Sequence, residues 1–338
     1  MTLIGLKTTN IQMIKVTLVG FDGVLASALT GILDLFSMAG VSWNRIQKRE
    51  IERLFHVNIA SKNAGVIQCI NGMRIQSNLA FCEIYDTDLV VIPTIGADIQ
   101  DVLNNNPELL EFIQHAHQNT WMIAGNCTGN FILAEAGILN GRCATTHWGF
   151  QDDFKKRYPE VLLHADQLVT RDEHIYCAGG GIAWFDLGLH FIERFYGFEV
   201  AIETAKSFVI DYRRESQLSY SLLKIAKPHQ DILIQDIQNW MSLNFSEEFS
   251  IDTIAEKFNI TPRTLIRRFK NALDITPNVY IQILRVEAAQ KQLEETQHSI
   301  EQIMQAVGYH DLSSFRRLFF KKTGLTPLEY RKRFSRRY

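Results

Sequence analysis

The hydrophobic and polar positions of the last hundred residues follow a helical period, and the same pattern is written twice. Leu265 and Phe269 lie one helical turn apart, and Phe315 and Phe319 repeat this pair fifty residues later. The same spacing joins further apolar and turn-forming residues: Ile275-Thr276-Pro277 to Leu325-Thr326-Pro327, and Tyr280 to Tyr330. The repetition predicts two copies of one structural unit.

Each copy is predicted to consist of two helices joined by a tight turn. Asn259 and Gly308 fall at the turns, and both residue types accept the left-handed backbone that a sharp turn requires. After the first turn, Thr261 and Pro262 are the expected N-cap and first position of the next helix. Asp311 is the expected cap in the second copy. This order is typical of the helix-turn-helix motif.

A continuous helix over about 277–295 is predicted to join the two copies, because this stretch is rich in good helix formers. Such a helix is stiff, so it would hold two recognition helices about 34 Å apart, which is one turn of DNA. The C-terminal part of the chain is therefore predicted to be an all-α domain with two helix-turn-helix units.

From Ile14 to about Gly197, strand-like runs alternate with helix-like runs. The predicted strands are 15–21, 56–61, 88–93 and 121–124, and the predicted helices are 29–39, 107–119 and 131–136. The run at 88–93 is almost wholly apolar, as expected for a parallel strand that is covered on both faces. This alternation predicts an α/β domain with a mostly parallel, flavodoxin-like sheet and helices on both faces.

The length of 338 residues favours two domains. We predict a first domain at 13–204, a linker at 205–235, where Lys227-Pro228 interrupts any helix, and a second domain at 236–338. No apolar run reaches the roughly 18 to 20 residues of a membrane helix, and residues 1–12 lack the pattern of a signal peptide. We therefore expect a cytoplasmic protein without a membrane partner.

Charge is distributed unevenly, although the net formal charge is only −2. Residues 236–338 contain 16 Lys and Arg against 12 Asp and Glu, whereas the rest of the chain contains 19 against 25. A basic tail behind an acidic front half indicates that the tail meets a polyanion such as double-stranded DNA. The alternative is a plain helical bundle with a solvated basic surface.

Basic and hydroxyl side chains occupy the outward positions of the second helix in each unit. Arg267 and Arg317, at matching positions, are predicted to contact base edges, because Arg can bind guanine through two hydrogen bonds. Lys270, Lys321 and Ser313 are predicted to hold phosphates. The remaining candidates on these helices are Arg263, Thr264, Arg268 and Arg316.

In the front half, the stretch Gly125-Asn126-Cys127-Thr128-Gly129 lies between a predicted strand and a predicted helix. This is the layout of a nucleophile elbow, which places a side chain beside a helix N-terminus and is expected to favour a thiolate. His147 offers an imidazole, and Cys with His is a pair used in nucleophilic catalysis. The five cysteines form no C-x-x-C pair, so we expect no disulfide, no metal site and no cofactor.

The tail, over about 236–338, resembles the DNA-binding domain of the AraC/XylS family. The matching stretches are Pro262-Arg263-Thr264-Leu265, Arg267-Arg268-Phe269-Lys270, Val307-Gly308-Tyr309, Ser313-Ser314-Phe315, Gly324-Leu325-Thr326-Pro327 and Tyr330-Arg331. The resemblance implies a seven-helix domain with two helices that enter the major groove. Ile266 departs from the family, which usually has a polar base-reading residue there, and an apolar contact with a thymine methyl group would suit it.

Residues 14–197 resemble the PfpI branch of the class I glutamine amidotransferase-like superfamily, through the elbow around Cys127 and the run Ala144-Thr-Thr-His-Trp148. With the tail, the whole chain resembles a GlxA-type regulator. This resemblance implies a homodimeric sensor that binds a small, often nitrogen-containing metabolite and activates transcription through the transcription machinery. The predicted ligand residues are Cys127, Thr128, His147 and Trp148.

PfpI-type enzymes carry an acidic residue near the start of the first helix, close to the cysteine. Here residues 25–29 read Leu-Ala-Ser-Ala-Leu, and Asp22 falls in the preceding loop. Without an orienting acid, Cys127 and His147 lack a member of the usual catalytic set. The preferred hypothesis is therefore a ligand-controlled transcription regulator that is not an enzyme. The alternatives are a thiol hydrolase or amidase with a DNA-binding tail, and a constitutive DNA-binding protein whose front domain only dimerises.

Overall fold

The computed structural model describes residues 12–212, 214, 216–220 and 229–335. Two compact units divide the chain, the first ending at Gln217 and the second beginning at Leu218. The boundaries of the predicted domains and of the linker at 205–235 remain predictions. Residues 213, 215 and 221–228 of that linker, with its Lys227-Pro228 pair, lie outside the described residues.

The described part of the first unit contains a seven-stranded sheet and two small two-stranded sheets. The strands are β1 (Ile14–Val19), β2 (Phe55–Ser61), β3 (Val66–Gln68), β4 (Arg74–Gln76), β5 (Leu79–Ala80), β6 (Leu89–Ile92), β7 (Met122–Asn126), β8 (Cys143–Ala144), β9 (Leu162–Leu163), β10 (Val169–Asp172) and β11 (Ile175–Ala178). The helices are α1 (Ala26–Met38), α2 (Ser42–Ile46), α3 (Ile99–Asn105), α4 (Pro107–Gln118), α5 (Asn130–Glu135), α6 (Gln151–Arg157), α7 (Trp184–Tyr196) and α8 (Phe198–Phe208).

The main sheet has the strand order β10-β11-β7-β6-β1-β2-β5. Neighbouring strands are parallel, except that β10 and β11 form an antiparallel pair at one edge. The five central strands follow the flavodoxin order, in which the chain passes from β2 across β1 to β6. In such a sheet, ligands bind beyond the carboxyl ends of the strands, near the point where the strand order reverses.

Every residue of β6 and β11 is buried. Because successive side chains of a strand point to opposite faces, complete burial means that both faces of the sheet are covered. Helices α4 and α5 pack against β7, and α7 packs against β7 and β11. The α/β fold predicted for the front half is confirmed.

Each strand and helix predicted in the front half corresponds to one element of the structure, with ends that differ by at most a few residues. The predicted helix at 29–39, for example, is α1, which begins earlier, at Ala26. The strands β3 to β5 and β8 to β11 were not predicted. Strands of two to four residues have few positions in which to show a periodic pattern.

The second unit is helical throughout its described residues from Ile232 to Phe334. A short 3-10 helix at Leu218–Tyr220 precedes its helices, which are α9 (Ile232–Asn244), α10 (Ile251–Lys257), α11 (Pro262–Leu273), α12 (Pro277–Glu295), α13 (Ile300–Ala306), α14 (Leu312–Thr323) and α15 (Pro327–Phe334). The number of helices from α9 to α15 is the seven that the AraC/XylS resemblance implies.

Two separate hydrophobic cores stabilise the second unit, and α12 contributes to both. Tyr280, near the start of α12, packs in the first core with Phe269 of α11. Val286 and Leu293, farther along α12, pack in the second core with Phe315 of α14. The repeated sequence therefore folds into two repeated packing units that share one helix.

The two predicted turns have the expected left-handed backbone, with φ of +54° at Asn259 and +79° at Gly308. At Gly308 a side chain would also collide with its surroundings, because a Cβ would lie 2.5 Å from the carbonyl oxygen of Ser246. Gly308 therefore satisfies two requirements, the backbone angle and the close approach of a neighbouring main chain.

Candidate functional site

A cavity of about 560 Å³ opens beyond the carboxyl ends of β6 and β7. Its size lies within the range of small-molecule sites. The lining residues come from the ends of these strands and from neighbouring loops and helices: Leu25, Thr94, Ile95, Gly96, Ala97, Asp98, Ile99, Cys127, Thr128, His147, Phe150, Asp153, Arg157, Gly181, Ile182 and Trp184. The cavity is the candidate ligand site of the first unit.

Cys127 follows β7 directly and has the backbone of a nucleophile elbow. Its φ of +58° lies in the left-handed region, which residues with a side chain rarely adopt. Its carbonyl oxygen accepts a hydrogen bond from Oγ1 of Thr146 at 2.9 Å, which helps to hold this backbone. Cys127 lines the cavity but is only 5% exposed, so its side chain is almost inaccessible to solvent.

The environment of Cys127 does not favour a thiolate. Burial raises the pKa of the thiol, and hydrogen bonds from groups such as Thr128 and Thr94 lower that pKa by a smaller amount. The prediction that this elbow favours a thiolate is therefore wrong, because desolvation outweighs the polar neighbours.

His147 lines the same cavity, but its hydrogen bonding does not suit a general base. Its Nδ1 accepts a hydrogen bond from the backbone N–H of Gly149 at 2.9 Å, so the neutral ring carries its proton on Nε2. Burial lowers the pKa of His147, which keeps the ring neutral. A ring in this state offers an N–H donor and has no free lone pair with which to deprotonate a thiol.

The structure places Leu25, rather than a carboxylate, in the cavity wall at the start of α1. Asp22, the nearest acidic residue in the sequence, is exposed and does not line the cavity. Its Oδ1 instead accepts a hydrogen bond from the backbone N–H of Gln68 at 2.7 Å. Asp22 therefore fixes a neighbouring loop and does not orient His147.

Three charged residues that the sequence analysis did not select also line the cavity. Asp98 caps α3 by accepting a hydrogen bond from the backbone N–H of Asp101, and Asp153 forms an ion pair with Arg157 at 3.1 Å. The capping position of Asp98 is readable in the sequence, but only the fold brings it to the same cavity as Cys127. Two carboxylates and one guanidinium give this group a formal charge of −1.

Of the four predicted ligand residues, the structure brings Cys127, Thr128 and His147 to the cavity wall. The hydroxyl of Thr128 already donates to the carbonyl oxygen of Ile95 at 2.9 Å. Trp148 is not among the lining residues, and its half-buried ring lies beside His147 with the ring centroids 5.3 Å apart. Trp148 thus contacts a residue that lines the cavity.

In the second unit, α11 buries Leu265 and Phe269 and leaves the opposite face exposed. The side chains on that face are spaced three or four positions apart, so they share one surface. The exposed residues are Arg263, Ile266, Arg267, Lys270 and Asn271.

Helix α14 presents a surface in the same register. It buries Phe315 and Phe319 and exposes the opposite face: Ser313, Arg316, Arg317, Phe320 and Lys321. Each of these residues lies fifty positions after its counterpart on α11. The sequence analysis missed Asn271 and Phe320, although their counterparts, Lys321 and Lys270, were selected and the repeat offset would have identified both.

The structure does not bring Arg268 to this surface. Its Nε and Nη2 donate to the carboxylate of Asp231 at 2.9 and 2.5 Å, and Asp231 caps α9, so the ion pair joins α11 to α9. Thr264 is also engaged locally, because its N–H and hydroxyl hydrogen-bond with Thr261, the cap of α11. The other candidates on α11 and α14 remain exposed.

Family models match both parts of the chain. Residues 38–194 match the DJ-1/PfpI family, and residues 254–333 match a helix-turn-helix domain. The chain joins a DJ-1/PfpI domain to an AraC-type helix-turn-helix domain. This finding confirms both resemblances.

The combination of a DJ-1/PfpI domain with an AraC-type domain recurs in a curated relative. The HTH-type transcriptional regulator CdhR of Pseudomonas aeruginosa is 28% identical over 290 residues, which cover 85% of this chain and 84% of that protein. An alignment of this length includes both domains, so the two proteins share the order of the domains along the chain as well as the individual domains.

The DJ-1/PfpI domain is also similar to proteins of other kinds. Isonitrile hydratase of Pseudomonas putida is 25% identical over 146 residues, which cover 43% of this chain and 61% of that enzyme. The crystal structure of Drosophila melanogaster DJ-1beta aligns with a TM-score of 0.50 and 16% identity, covering 60% of this chain and all of that one. The likeness to DJ-1beta shows the fold of the domain.

Among the described residues, no helix is both long enough and apolar enough to span a membrane. No group of three or more His, Cys, Asp or Glu in the same ranges is arranged to hold a metal ion. The five cysteines are free thiols.

Proposed function

We propose that this chain is a sequence-specific DNA-binding regulator of transcription, controlled by a small molecule in the DJ-1/PfpI domain. The observation that carries the proposal is the pair of exposed faces on α11 and α14, which repeat in register and are rich in arginine and lysine. The likeness to CdhR over both domains supports the same function.

The side chains on the two faces divide into two roles by their chemistry. Arg267 and Arg317 occupy the matching central positions, where a guanidinium can read guanine through two hydrogen bonds. Lys270, Lys321 and Ser313 lie at the flanks, where contacts with phosphates provide affinity and dependence on salt. Because α12 is shared by both cores, it would keep the two faces at the spacing of successive major grooves.

The proposed effector of the cavity is a small nitrogen-containing metabolite. The cavity combines apolar walls, such as Leu25 and Ile182, with the carboxylates of Asp98 and Asp153. Two acidic groups against the single cation of Arg157 favour a ligand with a positive or hydrogen-bond-donating nitrogen. Cys127, Thr128 and His147 would contact the same ligand, and Trp148 would position His147.

A thiol hydrolase is the second candidate function, and the likeness of the DJ-1/PfpI domain to isonitrile hydratase favours it. The geometry of the cavity argues against it. The pKa of the Cys127 thiol is raised by burial, and Nδ1 of His147 is occupied by a backbone N–H. We therefore propose that the cavity binds a ligand and does not catalyse a reaction.

Three further features complete the proposal and rest on the resemblance to GlxA-type regulators: a homodimer, activation of transcription through the transcription machinery, and a cytoplasmic location. The proposed domains are 13–204 and 236–338, with a linker at 205–235.

The test of the proposed function is a selection of DNA duplexes from a random pool by the full chain at moderate ionic strength. The expected result is one enriched motif with two half-sites about 10 base pairs apart, the spacing of successive major grooves. A pool that shows no enriched sequence after repeated rounds would contradict the proposal.

A further inference from the structure

Gln217 is the last residue of the first unit, and its side chain is buried beside the cavity. It is 2% exposed, although a side-chain amide has two N–H donors and a carbonyl acceptor that need partners. Its hydrogen bonds therefore show which parts of the structure it holds.

The amide of Gln217 bonds to the loop at 165–167, through the carbonyl oxygens of Ala165 and Gln167, and to two further loops. Its Oε1 accepts hydrogen bonds from the backbone N–H of Gly180 at 3.1 Å and of Trp148 at 3.2 Å. Its Nε2 donates to the carbonyl oxygen of Thr146 at 2.7 Å. One side chain thus joins the loop at 146–148 to the loop at 179–181.

These two loops form part of the cavity wall. His147 lies between the two positions of the first loop that Gln217 holds, and Thr146 in turn bonds to the carbonyl oxygen of Cys127. The amide fits closely, because a Cβ on Gly179 would lie 2.7 Å from Nε2 of Gln217. A displacement of His147 or of the Cys127 backbone would therefore act on the bonds of Gln217.

The main chain before Gln217 is fixed within the first unit. Ser216 forms an antiparallel bridge with Gln167, and its Oγ donates to the carbonyl oxygen of Asp166 at 2.8 Å. The backbone N–H of Gln217 also donates to Asp166, at 3.3 Å. The segment therefore follows the loop at 166–167.

The main chain directly after Gln217 is fixed within the second unit. Leu218–Tyr220 forms a 3-10 helix that packs against α14. The ring of Tyr220 lies 5.5 Å from the ring of Phe334, edge to face. Residue 217 thus holds two loops that contribute to the cavity wall, and the next three residues pack against the helix that carries Arg317.

We propose that Gln217 is the positioning residue through which the state of the cavity reaches α14. The inference rests on the proposed function and specifies how that function is regulated. A ligand that displaces the loop at 146–148 or at 179–181 breaks bonds to Gln217, and the displacement passes along the chain to Leu218–Tyr220. By thermodynamic linkage, DNA bound at α14 acts on the same loops in return.

The test uses Gln217→Ala in the full chain, with the alkylation of Cys127 by iodoacetamide as the readout. A buried thiol reacts when its surroundings open, and the loss of buried hydrogen bonds is expected to raise the alkylation rate about ten-fold. Peptide mass spectrometry assigns the label, and the exposed Cys82 provides an internal reference for the reagent and the fold.

Two further variants make the test specific. Gln217→Glu keeps the size of the side chain and removes both donors, so it should also accelerate alkylation of Cys127. Gln167→Ala is the matched control, because the side chain of Gln167 is exposed and its carbonyl oxygen still accepts from Gln217, at 3.2 Å. The control should label at the wild-type rate. Equal rates in wild type and both Gln217 variants would overturn the proposal.

The coupling to DNA is measured with the duplex enriched by the selection. The duplex should change the alkylation rate of Cys127 in the wild type and in Gln167→Ala, and should leave it unchanged in Gln217→Ala. A duplex effect that persists in Gln217→Ala overturns the proposal while the proposed function stands. A wild-type chain that binds no duplex overturns the proposed function, and the proposal with it.

Discussion

Cys127 has the backbone conformation of a nucleophile elbow, but its side chain is buried like that of a core residue. A left-handed φ at a residue with a side chain costs about 1 to 3 kcal/mol, and such strain persists only where neighbours hold it. Thr146 provides one such restraint through its hydrogen bond to the Cys127 carbonyl. The elbow therefore shapes the cavity wall. The raised pKa of the Cys127 thiol and the hydrogen bond to Nδ1 of His147 disfavour nucleophilic catalysis by these two residues.

Replacing Cys127 with Ala is expected to leave DNA binding intact. The change removes one buried sulfur and should lower the free energy of unfolding by about 1 kcal/mol, a typical cost for one buried substitution. Cys177→Ala is the matched control, because Cys177 is buried but does not line the cavity. Affinity for the selected duplex and isonitrile hydration are measured on both variants. Wild-type hydration that only Cys127→Ala abolishes would favour the alternative of a cysteine-dependent enzyme.

The recognition helices α11 and α14 are positioned by turns and caps that repeat along the chain. Asn259 and Gly308 occupy equivalent turns, and both have a left-handed backbone. Gly308 also lies against a neighbouring carbonyl, that of Ser246, whereas the turn at Asn259 accommodates a side chain. The turn at Gly308 is therefore less tolerant of a side chain than the turn at Asn259, although the two residues occupy equivalent positions in the repeat.

Gly308→Ala is expected to lower the free energy of unfolding by about 1 to 3 kcal/mol, because the new methyl group meets both an unfavourable φ and the Ser246 carbonyl. Asn259→Gly, at the equivalent turn, should be neutral or slightly stabilising, since Gly adopts a φ of +54° without strain. Denaturant titrations of the two variants measure the difference. Equal stabilities would contradict this expectation, because neither the φ of Gly308 nor its close approach to Ser246 would then be costly.

At this scale the sequence was most informative where the signal is local. The cap of α11 at Thr261 and the cap of α14 at Asp311 were predicted because the bonded N–H lies three residues away. Arg268 was placed among the DNA contacts because its ion-pair partner, Asp231, lies 37 residues earlier and no local pattern indicates it. The exposed position of Arg267, one residue earlier, follows from helical periodicity alone.

At the scale of the whole molecule, the fold class and the two-domain composition followed from alternation and repetition, whereas the chemistry of the cavity did not. Asp98 and Asp153 line the same cavity because α3 and α6 come together in the tertiary structure. Burial, which sets the direction of the pKa shift at Cys127, is likewise a property of the folded unit. The role of Gln217 depends on contacts with residues 37 to 71 positions away.

The most direct test of the central claim is base-resolved footprinting of the selected duplex with the wild-type chain and with Arg267→Ala, Arg317→Ala and Arg268→Ala. Arg267→Ala and Arg317→Ala should each cost about 1 to 3 kcal/mol of binding free energy and remove protection from a different half-site, the two sites lying one helical turn apart. Arg268→Ala should keep both footprints, because Arg268 pairs with Asp231. Identical footprints for all four proteins, or loss of protection at one common site, would contradict the account.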